Sequence, residues 1–182
     1  MPTPLEAINA PLIEITTELS RIDLDRVHHW LARKSHWAGA MPRAVFDRAV
    51  NGSLCFAALE GDVTVGFARV ISDRATFAYL CDVFVDHQRR GMGIGQRIVA
   101  GVLAHAALQD LRLCLLATAD AHGLYAQHGF TSLAQPQRYM ERRDGEVYRR
   151  MARAQAAGPE TARGGEMGAT SRTRLDKVGG RH

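Results

Sequence analysis

A strand, a basic glycine-rich turn and the start of a helix follow one another in Asp82-Val83-Phe84-Val85-Asp86-His87-Gln88-Arg89-Arg90-Gly91-Met92-Gly93-Ile94-Gly95-Gln96-Arg97. Successive backbone N–H groups in such a turn can point inward together and surround an anion. The start of the helix adds unpaired N–H groups and a partial positive charge. Glycines also let a phosphate approach the backbone without a Cβ in the way. This part of the chain therefore predicts a phosphate-binding turn.

Two common phosphate-binding motifs do not fit this turn. The dinucleotide fingerprint G-x-G-x-x-G/A fails from either Gly91 or Gly93, and the P-loop pattern G-x-x-x-x-G-K-[ST] is absent. The pattern that does fit is R-x-x-G-x-G, which is formed by Arg90, Gly93 and Gly95.

A second motif, Leu124-Tyr125-Ala126-Gln127-His128-Gly129-Phe130, follows further along the chain and has the form L-Y-x-x-x-G-F. With R-x-x-G-x-G and the strands before it, this motif resembles the GNAT superfamily of N-acetyltransferases, over about residues 12–142. The segment 117–125 looks like one bacterial subgroup of that superfamily. The resemblance implies a GNAT fold, with acetyl-CoA as co-substrate and no metal.

The residue patterns predict the element order β-α-α-β-β-β-α-β-α-β-β. The predicted strands are 12–16, 54–59, 63–71, 78–85, 111–118, 130–133 and 139–142, and the helices are 23–34, 42–50, 93 to about 105 and 121–128. With the resemblance, we expect an α/β (α+β) GNAT fold whose mixed, mostly antiparallel sheet has six to seven strands. The sheet would be splayed in the middle and flanked by about four helices. Residues 1–148 would form the catalytic domain, and 149–182 a disordered basic tail.

The resemblance also assigns residues to the cofactor. The backbone of Val83, Phe84 and Val85 would contact the pantetheine arm, and the hydroxyl of Thr118 stands where the family often has asparagine. The pyrophosphate would lie on the turn residues Arg90, Gly91, Met92, Gly93, Ile94, Gly95 and Gln96. The corresponding strand of the family is usually bulged, but the sequence does not reveal a bulge here.

Tyr125 matches the family tyrosine that protonates the departing CoA thiolate, a role that suits a phenol with a pKa of about 10. The alternative is a buried aromatic on a short helix. Asp82 is a candidate general base, but strand alternation places its side chain opposite those of Val83 and Val85. It could equally be a polar residue on the other face of the strand. His122, Asp120 and a water relay are the other candidates.

The acceptor site is expected at the first two helices and the link between them. The residues assigned to it are His36, Trp37, Phe77 and Tyr79. The alternative for the tryptophans is that they pack the helices against the sheet. The acceptor would be a primary amine on a small molecule or an amino acid. A protein N-terminus or lysine, or a non-catalytic acyl-CoA sensor, are the competing hypotheses.

Charge and composition limit the other classes of partner. The formal net charge is +4, yet residues 149–182 hold eight Lys and Arg against three acids, so the basic character belongs to the tail. We therefore do not expect a nucleic-acid partner for the domain. The three dispersed cysteines, the absence of a signal peptide and the absence of a long apolar segment predict a cytoplasmic protein without membrane contact. Because many GNAT enzymes pair, a homodimer is left open.

Overall fold

The computed structural model describes residues 12–35 and 37–156. The strands are β1 (Ile13–Thr16), β2 (Leu54–Glu60), β3 (Val63–Ser72), β4 (Phe77–Val85) and β5 (Leu113–Leu116). The α-helices are α1 (Leu24–Lys34), α2 (Arg43–Asn51), α3 (Ile94–Ala104), α4 (His122–Ala126) and α5 (Val147–Ala156). Short 3₁₀ turns occupy Leu19–Arg21, His87–Arg89, Ala106–Leu108 and Pro136–Arg138.

The strands form one sheet in the order β1-β2-β3-β4-β5. The first four are antiparallel neighbours, whereas β4 and β5 are parallel. The chain can return to a parallel strand because α3 crosses over one face of the sheet between β4 and β5. The sheet is therefore mixed and mostly antiparallel, as the sequence predicts.

Helices cover both faces of the sheet. On one face α3 packs through Ile94, Ile98, Val99 and Val102, and Gly66 of β3 admits the helix closely, since a Cβ there would lie 2.8 Å from Ile98 Cδ1. On the other face, α1 and α2 pack on Phe67 and Phe84 through Val27, Trp30, Leu31, Phe46 and Val50. Full burial of each large apolar side chain stabilises the fold by roughly 1.5–3 kcal/mol. The two helical layers thereby fix β4 from both sides.

The prediction of six to seven strands is wrong, because the described part of the chain forms a sheet of five strands. The segments 130–133 and 139–142 form no strand, and every residue from 131 to 146 is exposed. Phe130 packs its ring against Tyr125 (centroids 6.0 Å apart), and Pro136, which has no N–H to donate, begins a 3₁₀ turn between the two segments. These two segments have strand-like residue patterns but bury no face against the core, so they add no strand to the sheet.

Five α-helices rather than about four occur in the described residues, and the additional one is α5. Residues 149–156, assigned above to a disordered tail, form most of it. Arginine, methionine, alanine and glutamine favour helix, and Tyr148 packs against the core between the sheet and α1 and α2. The rest of the expected tail, 157–182, lies outside the described residues. In the described ranges, no helix is long and apolar enough to cross a bilayer.

Candidate active site

A β-bulge in β4 shapes the site. The β3–β4 register passes from Arg69 opposite Cys81 to Phe67 opposite Phe84, so two residues of β4 oppose one of β3. Asp82 lies in this bulge with a positive φ of 54°, a conformation that aspartate tolerates better than most residues. The extra residue also shifts the alternation of side chains between the two faces of β4. Leu80 and Val83 are three positions apart, yet both face the core under α3.

The bulge coincides with the end of the β4–β5 pairing. The two strands pair from Phe77 opposite Leu113 to Leu80 opposite Leu116, and no further. Beyond Leu80 they separate, and a cleft of about 1040 Å³ lies between them and extends to the glycine-rich turn. This opening is the splay that the resemblance implies.

Most residues predicted for the site line this cleft. They are Asp82, Val83, Phe84, Val85, Arg90, Gly91, Gly93, Ile94, Gly95, Gln96, Thr118, Tyr125, Trp37 and Tyr79. Met92 and Phe77 do not: Met92 is exposed on the turn, and Phe77 is half-buried at the opposite end of β4. His36 lies outside the described residues. The structure thus places the predicted turn, tyrosine and β4 residues together.

The glycine-rich turn presents backbone donors to the cleft. Gly91 and Gly93 have φ values of +78° and +74°, and Gly93 is the N-cap of α3. The N–H of Arg97 donates to the carbonyl oxygen of Gly93 at 3.1 Å, whereas the N–H groups of residues 90–96 meet no acceptor within the described chain. Consecutive unpaired donors at a helix start form a site for an anion.

Two ion pairs fix the segment that leads into the turn. Asp86 Oδ2 accepts a hydrogen bond from Arg26 Nη2 at 2.8 Å, and Arg89 donates from Nε and Nη2 to Glu60 Oε2 at 2.9 and 2.8 Å. Burial acts to raise the pKa of Asp86, but the bonds from Arg26 and the N–H of Gln88 outweigh it and hold that pKa below its usual value. The turn is thus tied to α1 and to β2.

Tyr125 lies on α4 at the side of the cleft. Its side chain is 7% exposed, and its ring meets that of Phe130 edge to face. Burial, and then the charge of Asp120, raise the pKa of the phenol above 10. Tyr125 therefore keeps its proton at neutral pH and can donate it. The hydroxyl oxygen of Thr118 accepts a hydrogen bond from the N–H of Ala121 at 3.0 Å, which fixes the entry to α4.

Asp82 lies in a hydrogen-bonded chain at the other side of the cleft. Its Oδ2 accepts from Arg69 Nε at 2.7 Å and its Oδ1 accepts from Trp37 Nε1 at 3.3 Å. Arg69 Nη1 continues the chain to Ser53 Oγ at 2.9 Å. Next to Asp82, burial and the carboxylate charge raise the pKa of Cys81 to about 12, so this thiol is not a nucleophile at neutral pH.

Several charged residues of the site were not predicted from the sequence. Lys34, His87, Arg89, Glu141 and Arg143 line the cleft. Two more, Arg26 and Arg69, do not line the cleft but form ion pairs with Asp86 and Asp82. His87 and Arg89 follow β4 directly, on the 3₁₀ turn that leads into the glycine-rich turn. The others come from distant parts of the chain, and only the folded structure brings them close to β4.

Comparison with known proteins agrees with this geometry. A family model described as an acetyltransferase (GNAT) domain matches residues 21–149. A protein of Xanthomonas campestris pv. campestris whose crystal structure is assigned to the GNAT family is 45% identical, with 77% of this chain and 99% of that chain covered and a TM-score of 0.74. The chain therefore belongs to the GNAT family of acetyltransferases.

Two more distant relatives are also named as acetyltransferases. Gibberella zeae has a protein, FG08082, whose name also describes an acetyltransferase; it is 26% identical, with 63% of this chain and 76% of that one covered. Glucosamine-6-phosphate N-acetyltransferase of Arabidopsis thaliana is 14% identical over 73% of this chain and 97% of its own, with a TM-score of 0.54. At that identity the likeness concerns the fold alone.

Proposed function

We propose that this acetyltransferase moves the acetyl group of acetyl-CoA to a primary amine of a small molecule or an amino acid, by direct attack of the amine. Tyr125 is the general acid. The observation that carries the proposal is one cleft with unpaired N–H donors of residues 90–96 at one end and the protonated Tyr125 in its wall. Three free cysteines fit a reducing compartment, and we place the enzyme in the cytoplasm.

The residues present fit acetyl-CoA. The N–H groups of residues 90–96 would hold the pyrophosphate, and Arg90, whose guanidinium lies 5.8 Å from the Phe84 ring centre, would add a positive charge. Because β5 does not pair with β4 beyond Leu80, the edge of β4 from Val83 to Val85 is open to the pantetheine arm. Bound acetyl-CoA supplies the thioester that the amine attacks.

The reaction needs a proton removed and a proton supplied. The amine must attack in its neutral form, and a water relay in the open cleft would take its proton. The backbone N–H of Val83 in the bulge is the proposed donor to the oxyanion. As the carbon–sulfur bond breaks, Tyr125 Oη donates its proton to the leaving sulfur, and the phenolate regains one from water.

The test is turnover of the purified chain with acetyl-CoA and a panel of amines. The panel contains small amines, amino acids, a lysine peptide and peptides with free N-termini. Thiol release would be followed continuously and products identified by mass spectrometry. Acetylation of a small amine, slowed strongly by Tyr125→Phe, is the expected result. Acetylation of peptides only would favour a protein-directed enzyme, and acetyl-CoA binding without transfer would favour a sensor.

A further inference from the structure

The helix that carries Tyr125 is too short to hold its position alone. α4 has five residues, whereas an isolated helix of fewer than about 12 residues is marginal in water. On the side of α3, Leu124 packs against Gly95, since a Cβ built at Gly95 would lie 3.5 Å from Leu124 Cδ2. The position of Tyr125 therefore depends on the contacts that α4 makes with its neighbours.

A bridge of side-chain hydrogen bonds joins the first turn of α3 to the end of α4. Gln96 Nε2 donates to Gln127 Oε1 at 2.8 Å, and Gln96 Oε1 lies 2.5 Å from His128 Nε2. Gln127 in turn donates from Nε2 to the carbonyl oxygen of Gly123, within α4, at 3.2 Å. One side-chain amide at the glycine-rich turn thus holds two consecutive residues that follow α4.

The direction of each bond in this bridge follows from one backbone carbonyl. The oxygen of Gly123 can only accept, so Gln127 presents its NH₂ group to Gly123 and its Oε1 to Gln96. Gln96 then donates from Nε2, which leaves its Oε1 as the acceptor for His128. His128 therefore carries a proton on Nε2, in its neutral or its charged form.

From this geometry we infer that the side chain of Gln96 is a positioning residue which, with His128 and Gln127, fixes α4 and thus Tyr125 relative to the glycine-rich turn. The inference rests on the proposed function, since it concerns the placement of the proposed general acid. The bridge uses only the side-chain amide of Gln96, so its backbone N–H stays available to the pyrophosphate. His128 and Gln127 do not line the cleft, so they act through Gln96 and α4 and not on a substrate.

Proton donation to the leaving sulfur depends on the placement that the bridge provides. A general acid must come within hydrogen-bond reach of the atom that it protonates, and a misplacement of about 1 Å can cost about a hundredfold in rate. The contact of Leu124 with Gly95 does not involve the bridge, so α4 stays docked when the bridge is lost. No other hydrogen bond in the described chain joins α3 to α4, however, so α4 could then shift along α3. Loss of the bridge should therefore lower the rate and leave cofactor binding nearly unchanged.

The first experiment compares kcat with the KM for acetyl-CoA by thiol release. We expect Gln96→Ala and His128→Ala each to lower kcat about five- to twentyfold, with the KM for acetyl-CoA within about twofold of the wild type. Gln109→Ala is the matched control, because Gln109, beyond the other end of α3, donates from Nε2 to the carbonyl oxygens of Leu103 and His105. It should keep the wild-type kcat. A wild-type kcat in both bridge variants would overturn the inference.

A rescue variant and a double variant separate the bridge from a general structural effect. His128→Gln can still donate an N–H to Gln96 Oε1, so its kcat should stay within about threefold of the wild type. The double variant Gln96→Ala/His128→Ala should be no slower than Gln96→Ala, because both changes remove the same bridge. If the two losses multiplied, or if His128→Gln were as slow as His128→Ala, the two residues would not act through one bridge.

An NMR spectrum reads the placement of Tyr125 without turnover. The chain has four tyrosines, so the ring signal of Tyr125 in protein labelled with ¹³C-tyrosine can be assigned from its absence in Tyr125→Phe. With CoA added, this signal should shift in Gln96→Ala and His128→Ala and stay in place in Gln109→Ala. If no amine is acetylated, the proposed function fails, and this spectrum still decides the inference. An unshifted Tyr125 signal in both bridge variants would overturn the positioning role.

Discussion

Replacing Gly93 by alanine tests the phosphate-binding turn with a magnitude that the structure supplies. Gly93 has a φ of +74°, and no heavy atom lies within 4 Å of a Cβ built there. The substitution therefore destabilises the folded state only through the left-handed backbone of the new alanine, by about 1–2 kcal/mol. The smaller conformational entropy of the unfolded chain offsets part of this cost. We expect the free energy of unfolding to fall by about 1 kcal/mol.

The effect on acetyl-CoA should be larger than this. Gly93 lines the cleft and a Cβ there would occupy open space, so we expect the added methyl group to hinder the approach of an anion to the N–H groups of residues 90–96. The loss of one or two charge-assisted hydrogen bonds costs about 2–3 kcal/mol, which corresponds to roughly 30- to 150-fold in Kd. Titration calorimetry on the wild type and Gly93→Ala measures this directly.

Gly61→Ala is the matched control for this change. Gly61 lies in the β2–β3 turn with a φ of +60°, has the same empty surroundings and does not line the cleft. It should lose a similar free energy of unfolding and retain the wild-type Kd for acetyl-CoA. If both variants bind acetyl-CoA equally, the turn does not hold the cofactor, and the reasoning is refuted.

Three further changes test other parts of the account. Tyr125→Phe should lower kcat about 100-fold with little change in the KM for acetyl-CoA. Because the pKa of the Tyr125 phenol is raised above its usual value of about 10, loss of its proton should lower the wild-type rate only at a pH above 10. If thiol release by Tyr125→Phe matched that of the wild type at every pH, Tyr125 would not be the general acid. Asp86→Asn removes the negative charge that pairs with Arg26 and should raise the KM for acetyl-CoA about three- to tenfold at nearly constant kcat. An unchanged KM would show that this ion pair does not hold the turn. Gly66→Ala brings a Cβ to 2.8 Å from Ile98 Cδ1 and should destabilise the fold by about 1–3 kcal/mol in denaturant unfolding; wild-type stability would contradict the close packing of α3.

Features encoded locally could be predicted from the sequence. The three strands β2, β3 and β4, the glycine-rich turn and α3 lie where their residue patterns predict them, because alternation, turn residues and helical spacing act over short distances. The same holds for the placement of Tyr125 on a short helix that borders the cleft.

Features set by tertiary packing could not be predicted. The bulge coincides with an ion pair between Asp82 and Arg69 of the neighbouring strand, and the type of neither residue marks a bulge in the sequence. Likewise, the segments 130–133 and 139–142 carry strand-like patterns, but Phe130 packs on Tyr125 and the rest stays exposed. The ion pair of Asp86 with Arg26 joins residues 60 positions apart, so that its role in holding the turn is visible only in the structure.

Thermal unfolding of the full chain with acetyl-CoA, CoA, NAD and ATP in parallel tests the central claim most directly. Acetyl-CoA or CoA at 100 times its Kd should add about 2.7 kcal/mol to the folded state and raise the midpoint, while NAD and ATP should not. An unchanged midpoint with both CoA species, or an equal rise with NAD and ATP, would contradict a turn and cleft built for acetyl-CoA.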